Sequence, residues 1–380
     1  MRTALVNARV LTPEGWRDDA AVLVEDGAIA EIAAATRIAA DVDRYDLSGR
    51  MLLPGFIDCQ VNGGGGVLFN DRPDVAGIRT IGEAHRRYGT TAFLPTLISD
   101  GIDTMRAAIA AVDAAIAEGV PGVLGIHLEG PFLSRERKGV HPARYLHAPS
   151  PDELLLADSL QQGVTLLTLA PECVTPDAIR GLALSGVIVS AGHSDADYAT
   201  VRAALDAGVR GFTHLYNAMS PLGGRTPGMV GAALDDPDSW CGVIVDGHHV
   251  DPVSLRIALK AKPRGKVFLV TDAMPSVGAS DPSFVLNGER IIARDGICRT
   301  ASGTLAGSAL GMIEAVRNSV DMLGVSLEEA VRMASTYPAD FLGIGATRGR
   351  IAAGYQADFT VVDTGLRVTE TWIDGMPQAA

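Results

Sequence analysis

Four residues with acid–base or metal-binding side chains close short apolar runs: Glu129 after 123–128, His193 after 187–192, His214 near the end of 211–215, and Asp272 after 266–271. Two imidazoles and one carboxylate are a donor set that a divalent ion such as Zn²⁺ accepts, and three donors leave a coordination position for water. The fourth group, Asp272, can take a proton from that water as it attacks a carbon. Any one of these residues alone would more often be structural. Four of them at the ends of four separate runs point to a single rim. Gln60 and Asn62 follow the first apolar run and lead into the glycines 63–66. One residue separates them, so a strand presents both on the same face. Their amides can hydrogen-bond a bound water or substrate, but they are poor ligands for a tightly held transition metal.

The runs that carry these groups belong to a repeating pattern. Eight apolar, strand-like runs fall at 52–58, 91–97, 123–129, 164–170, 187–193, 211–215, 241–246 and 266–272, with Ala-rich helical stretches such as 103–118 and 197–207 between them. Alternation of this kind predicts an α/β fold, a (β/α)8 TIM-like barrel over 51–342, whose chemistry sits at the C-terminal ends of the strands. The flanks differ. Residues 4–11, 21–27, 357–363 and 369–375 are short, β-rich and turn-bounded, with Asp26-Gly27 as a hairpin turn. They predict a small β-sandwich domain built from both chain termini, 1–50 plus 343–380.

Composition excludes several classes of function. Of 380 residues, 47% are hydrophobic and 20% charged, and the formal net charge is −13, so the chain is globular and lacks the basic face that nucleic acid or an anionic membrane requires. A small anionic substrate held by one or two local cations remains compatible with that balance. The N-terminal residues carry no basic region followed by an apolar stretch, and no run of eighteen apolar residues occurs elsewhere. The expected location is cytoplasmic. Cys59, Cys173, Cys241 and Cys298 lie far apart without a CxxC pair, which predicts reduced, small, buried residues rather than a disulfide framework.

The segments Leu53-Pro54-Gly55-Phe56-Ile57-Asp58, His127-Leu128-Glu129-Gly130-Pro131-Phe132, Ala191-Gly192-His193-Ser194, Thr213-His214-Leu215-Tyr216-Asn217-Ala218-Met219, Asp246-Gly247-His248-His249 and Val270-Thr271-Asp272-Ala273, in this order, resemble the N-acetylglucosamine-6-phosphate deacetylases of the amidohydrolase superfamily. Each piece is weak alone; jointly, and with the split β domain, they cover essentially the whole chain. The resemblance implies that Glu129, His193 and His214 ligate the metal and that Asp272 is the catalytic acid/base. It also implies that His141, on the loop after the third run, polarises the substrate carbonyl. Substrate binding falls by resemblance to Asn217, Ala218, Arg225, His249 and Leu305, with His141 touching substrate as well. The superfamily often begins with a His-x-His pair that serves a second metal; Gln60-x-Asn62 stands there instead, which favours one divalent ion per subunit, Zn²⁺ first and Fe²⁺, Co²⁺ or Mn²⁺ as alternatives. A homodimer is a further implication, and residues 284–290 read as a hairpin able to shield the mouth.

The implied reaction is hydrolysis of the acetamide of N-acetyl-D-glucosamine 6-phosphate to glucosamine 6-phosphate and acetate, in amino-sugar catabolism or cell-wall recycling. The galacto isomer differs by the orientation of one hydroxyl, which no motif resolves. A cyclic-amide hydrolase of the same superfamily is a weaker reading, because the His-x-His pair is missing and Glu129 stands where many of those enzymes use a modified lysine. A non-catalytic barrel serving as an interaction module would not need to keep all of Glu129, His193, His214 and Asp272.

Overall fold

A computed structural model describes residues 2–379. Eight parallel strands run β1 (Phe56–Val61), β2 (Thr90–Ile98), β3 (Gly125–Glu129), β4 (Val164–Leu169), β5 (Ile188–Ala191), β6 (Gly211–Phe212), β7 (Trp240–Val243) and β8 (Val267–Leu269). They neighbour one another in chain order. A parallel bridge from Val61 to Ala273 joins the first strand to the segment just beyond the last. Every residue of β1, β2 and β3 is buried, as expected for strands covered by helices outside and by packed side chains inside.

Helices start where the chain supplies caps. Thr175 accepts from the Ala178 N–H before Pro176–Ser185, Asp197 from Thr200 before Tyr198–Ala207, and Ser150 with Glu153 forms a reciprocal capping box before Pro151–Ala157. The stretches read as 103–118 and 197–207 are helices Ile102–Ala117 and Tyr198–Ala207.

The termini build two further sheets. One has four strands in the order Ala28–Ala34, Ala20–Glu25, Arg2–Val6, Asp43–Asp46; the other has six, Met376–Ala379, Val368–Ile373, Phe359–Val362, Met51–Pro54, Arg9–Thr12, Gly15–Arg17. Leu5, Val10, Val22, Leu52, Phe359 and Trp372 share one buried cluster between them, the packing of a sandwich. Asp26 and Gly27 both have positive φ, 48° and 82°, as a two-residue hairpin turn demands.

The run read as one strand over 52–58 is in fact divided. Met51–Pro54 pairs with Phe359–Val362 in the terminal sheet, and Phe56 opens the barrel. Gly55 is the reason the chain can cross: a Cβ there would lie 2.1 Å from Thr91 Oγ1, so only glycine lets the crossing lie against β2. Past β8, Ser283–Leu286 and Glu289–Ile292 form an antiparallel hairpin. Its Phe284, Leu286 and Ile291 pack with Leu68, Ile98 and Met274. Among the described residues no helix is long and apolar enough to cross a membrane. All four cysteines are free thiols, buried except for half-buried Cys173.

Candidate active site

Glu129 is the last residue of β3, but the other three candidates lie beyond their strands, two residues past β5 and β6 for His193 and His214 and three past β8 for Asp272. Strand pairing stops before them because each takes a left-handed backbone, with φ 47°, 34° and 51°. Such conformations cost free energy in non-glycine residues and persist where surrounding structure imposes them. Here the reversal turns three side chains from the strand direction toward the barrel axis. The sequence expectation of strand-closing residues is corrected accordingly for His193, His214 and Asp272.

The three donors meet closely. His214 Nε2 lies 3.0 Å from Glu129 Oε1 and 3.0 Å from His193 Nε2, and His193 Nε2 is 3.3 Å from the same carboxylate oxygen. All three residues are buried. His193 Nδ1 sits 2.8 Å from the Arg137 carbonyl oxygen, which can only accept, so Nδ1 bears the proton and Nε2 presents its lone pair to the cluster. Lone pairs converging at these distances repel unless positive charge lies among them. Burial alone would lower His214, but its bond to Glu129 and that carboxylate's charge outweigh burial and raise it. Burial likewise pushes Glu129 up, and the two imidazoles overcome it and hold the carboxyl well below its usual range. A group of one carboxylate and two imidazoles with ligand atoms this close could hold a metal ion, and the lone-pair orientation of His193 fits one.

Asp272 is tied to this cluster through amides. Gln60 Nε2 donates to Glu129 Oε1 and to Asp272 Oδ1, both at 3.1 Å, and Asn62 Nδ2 donates to the same Asp272 oxygen at 2.7 Å. Gln60 and Asn62 therefore face the same way and donate to the carboxylates, while Asn62 also lines the cavity and its Oδ1 has no hydrogen-bond partner among the described residues. With Oδ1 taken by two donors, Oδ2 is the oxygen available to a proton. Burial first, and then the negative charge of Glu129, raise the Asp272 carboxyl above its ordinary range.

His141 enters from the loop after β3. Its ring meets that of His193 edge-on with centroids 4.4 Å apart, and burial pushes its imidazole down to about 3. The loop is pinned by the hairpin, whose Asn287 Nδ2 donates to the Val140 carbonyl at 2.7 Å. A cavity of about 360 Å³ opens over the cluster, and Asn62, Glu129, His141, His193, His214 and Asp272 line it together with Asn217, Ala218, His249 and Leu305. His249 Nδ1 is 2.6 Å from Asp246 Oδ2, which leaves Nε2 as the ring nitrogen for the cavity that His249 lines. Ala218 has φ 50° and Asn217 Nδ2 bonds the His214 carbonyl, so this turn and the cluster share one backbone.

Arg225 is not brought to that cavity. It is exposed and borders a separate depression with Tyr198 and Ser220, because the loop carrying it runs outward before helix Gly228–Asp235. Several residues that matter were not singled out from sequence. Asp58 accepts from Thr271 Oγ1 at 2.6 Å and from the Thr271 and Gln60 N–H groups, clamping β1 to the segment before Asp272. Burial pushes Asp58 up to about 7. Beneath the ligands, His127 joins Thr96 and Thr168, and Thr168 continues to Thr213 and Ser190. The alternation of an inward-facing strand could have flagged these, since His127 lies two residues before Glu129 and points the same way.

Comparison with known proteins adds independent findings. The Amidohydrolase family model matches residues 51–378, and that of the NagA composite domain matches residues 3–52. An N-acetylgalactosamine-6-phosphate deacetylase of Shewanella sp. (strain ANA-3) is 45% identical, covering 97% of this chain and 94% of that protein. An N-acetylglucosamine-6-phosphate deacetylase of Haemophilus influenzae is 35% identical, covering 99% of each. Among solved structures, N-acetylglucosamine-6-phosphate deacetylase from Pasteurella multocida superposes with a TM-score of 0.96 at 38% identity, over 100% of both chains.

Proposed function

This chain is a member of the amidohydrolase family, and from that premise we propose that it removes acetate from an N-acetylhexosamine 6-phosphate, N-acetyl-D-glucosamine 6-phosphate first. The observation that carries the reading is the buried cluster of Glu129, His193 and His214, joined to Asp272 through Gln60 at the mouth of the barrel.

A single divalent ion, Zn²⁺ in the first instance, would be held by Glu129, His193 and His214, and when bound it acidifies water and polarises the amide carbonyl. Asp272 takes the proton of the attacking water on Oδ2 while Gln60 and Asn62 hold Oδ1. A C–O bond forms at the acetyl carbon, and the tetrahedral centre then collapses with loss of the C–N bond. The same Asp272 proton goes to the departing nitrogen, which would otherwise leave as an unfavourable amide anion. His141, held neutral by burial, donates a hydrogen bond to the acetyl oxygen as charge develops there.

His249 and Asn217 with the backbone of Ala218 donate to the phosphate, Leu305 bounds the acetyl group, and Arg225 supplies further charge to the phosphate by moving from its exposed position. The supporting β domain, read from sequence as 1–50 with 343–380, takes in Met51–Pro54 as well, and the barrel read as 51–342 begins at Phe56. The reading extends to a cytoplasmic homodimer, checked by sedimentation at assay concentration.

The galacto epimer is a second reading, favoured by the 45% identical relative from Shewanella. Acetate release from N-acetylglucosamine 6-phosphate, N-acetylgalactosamine 6-phosphate and unphosphorylated N-acetylglucosamine, assayed side by side, separates the cases. Fast release from the first compound supports the main reading, and release chiefly from the second keeps the chemistry and changes the sugar. Absence of release from all three, with metal bound, would refute it.

A further inference from the structure

Ser99 immediately follows β2 and is buried, and no part of the mechanism above uses it. Its backbone N–H points at His141 Nδ1 from 3.2 Å, and its Oγ lies 2.8 Å from the same nitrogen. A backbone N–H can only donate, so His141 Nδ1 must present a lone pair. At 2.8 Å a hydroxyl lone pair facing that nitrogen would be repulsive, so the hydroxyl proton is directed at Nδ1 as well. That hydroxyl has one proton, so the Glu129 carbonyl oxygen, 3.3 Å from Oγ, is an alternative acceptor and takes no bond while the proton faces Nδ1. Gly130 leaves room for this hydroxyl, since a Cβ on it would lie 2.2 Å from Ser99 Oγ.

We propose that Ser99 is a positioning residue: it fixes His141 as the Nε2–H tautomer and holds the ring through Nδ1, so that a proton donor faces the acetyl oxygen. The inference deepens the deacetylase reading and rests on it for the role of His141. The tautomer itself does not. If Nδ1 carried the proton, the Ser99 N–H would be buried without an acceptor and Nε2 would offer a lone pair to an oxygen. Catalysis by His141 as a hydrogen-bond donor requires the opposite arrangement, which two donors from one residue enforce.

The first test needs neither substrate nor turnover. In enzyme labelled with ¹⁵N-histidine, long-range ¹H–¹⁵N correlations report which ring nitrogen is protonated, and the His141→Gln spectrum identifies the His141 signals. A protonated Nε2 with bare Nδ1 is expected; the reverse tautomer would overturn the proposal whatever the enzyme's substrate. The second test is kinetic. Ser99→Ala should lower kcat about tenfold, the scale seen when partners that orient a site residue are removed, with KM changed less than about twofold. Ser99→Thr, which restores the hydroxyl, should recover most of kcat. An unchanged kcat in Ser99→Ala, or a loss confined to KM, would remove Ser99 from this role. If wild-type enzyme releases no acetate while the tautomer is as expected, the deacetylase reading fails and the assignment of His141 stands.

Discussion

The two ends of the cavity are built differently. At the chemical end Glu129, His193 and His214 are buried and Asp272 is half-buried, and the four are held by one another, by Gln60 and Asn62, and by the Arg137 carbonyl. At the end assigned to phosphate, His249 is fixed on Asp246, but Arg225 is exposed on a loop outside the cavity. Charge that must act on a transition state is thus organised before substrate arrives. On the proposed roles, charge that only grips a soluble phosphate is left to be gathered on binding, where the conformational freedom it loses offsets part of what it contributes.

If that contrast is right, damage at the first end should be far larger than at the second. His193→Ala removes a donor whose lone pair is fixed from behind, and loss of both bound metal and activity is expected; metal content equal to wild type would break the contrast at its centre. Asp272→Asn keeps the shape and the metal donors, so metal should remain while kcat falls by about 10²- to 10⁴-fold. Its removal also carries a pH signature. Because burial and Glu129 raise Asp272 and the base must be ionised, wild-type kcat/KM should rise with pH through a midpoint above the ordinary carboxylate range, and Asp272→Asn should lack that limb.

His85 sharpens the comparison from behind the site. Its Nε2 bonds the Gly63 carbonyl next to Asn62, and burial pushes its imidazole down to about 4 from 6.5. The unfolded chain takes up this proton below pH 6.5 and the folded chain does not until about 4, so stability present above 6.5 is lost as pH falls through that window, by about 3 kcal/mol. His85→Leu should flatten that part of a plot of unfolding free energy against pH; an unchanged slope would mean that His85 does not titrate as a buried group. The smallest effect belongs to the other end. Arg225→Ala should raise KM for the phosphorylated sugar about tenfold with little change in kcat, worth roughly 1.4 kcal/mol, and leave an unphosphorylated N-acetyl sugar unaffected. Equal losses on both sugars would contradict a role in phosphate recognition.

Much of this was legible in the sequence because barrels expose their chemistry at strand ends, and apolar runs locate those ends. The eight runs, both helical stretches and the β-rich termini correspond to observed elements. Periodicity could not show that 52–58 is split at Gly55, because both halves are equally apolar and the division depends on a contact with Thr91, a distant residue. Nor could it show that His193, His214 and Asp272 lie past their strands, since positive φ at non-glycine residues has no compositional mark. Hydroxyl and carboxyl partners such as Ser99 and Asp58 looked like ordinary strand residues; their importance arises only when eight strands bring their ends together.

The central claim is one metal ion at Glu129, His193 and His214, required for acetate release. Titrating Zn²⁺ into chelator-stripped enzyme while following acetate release from the preferred hexosamine 6-phosphate tests it most directly. Activity absent at the start, rising in proportion to added metal and levelling at one equivalent per chain is the expected result. Full activity without metal, or a plateau only at two equivalents, would contradict it.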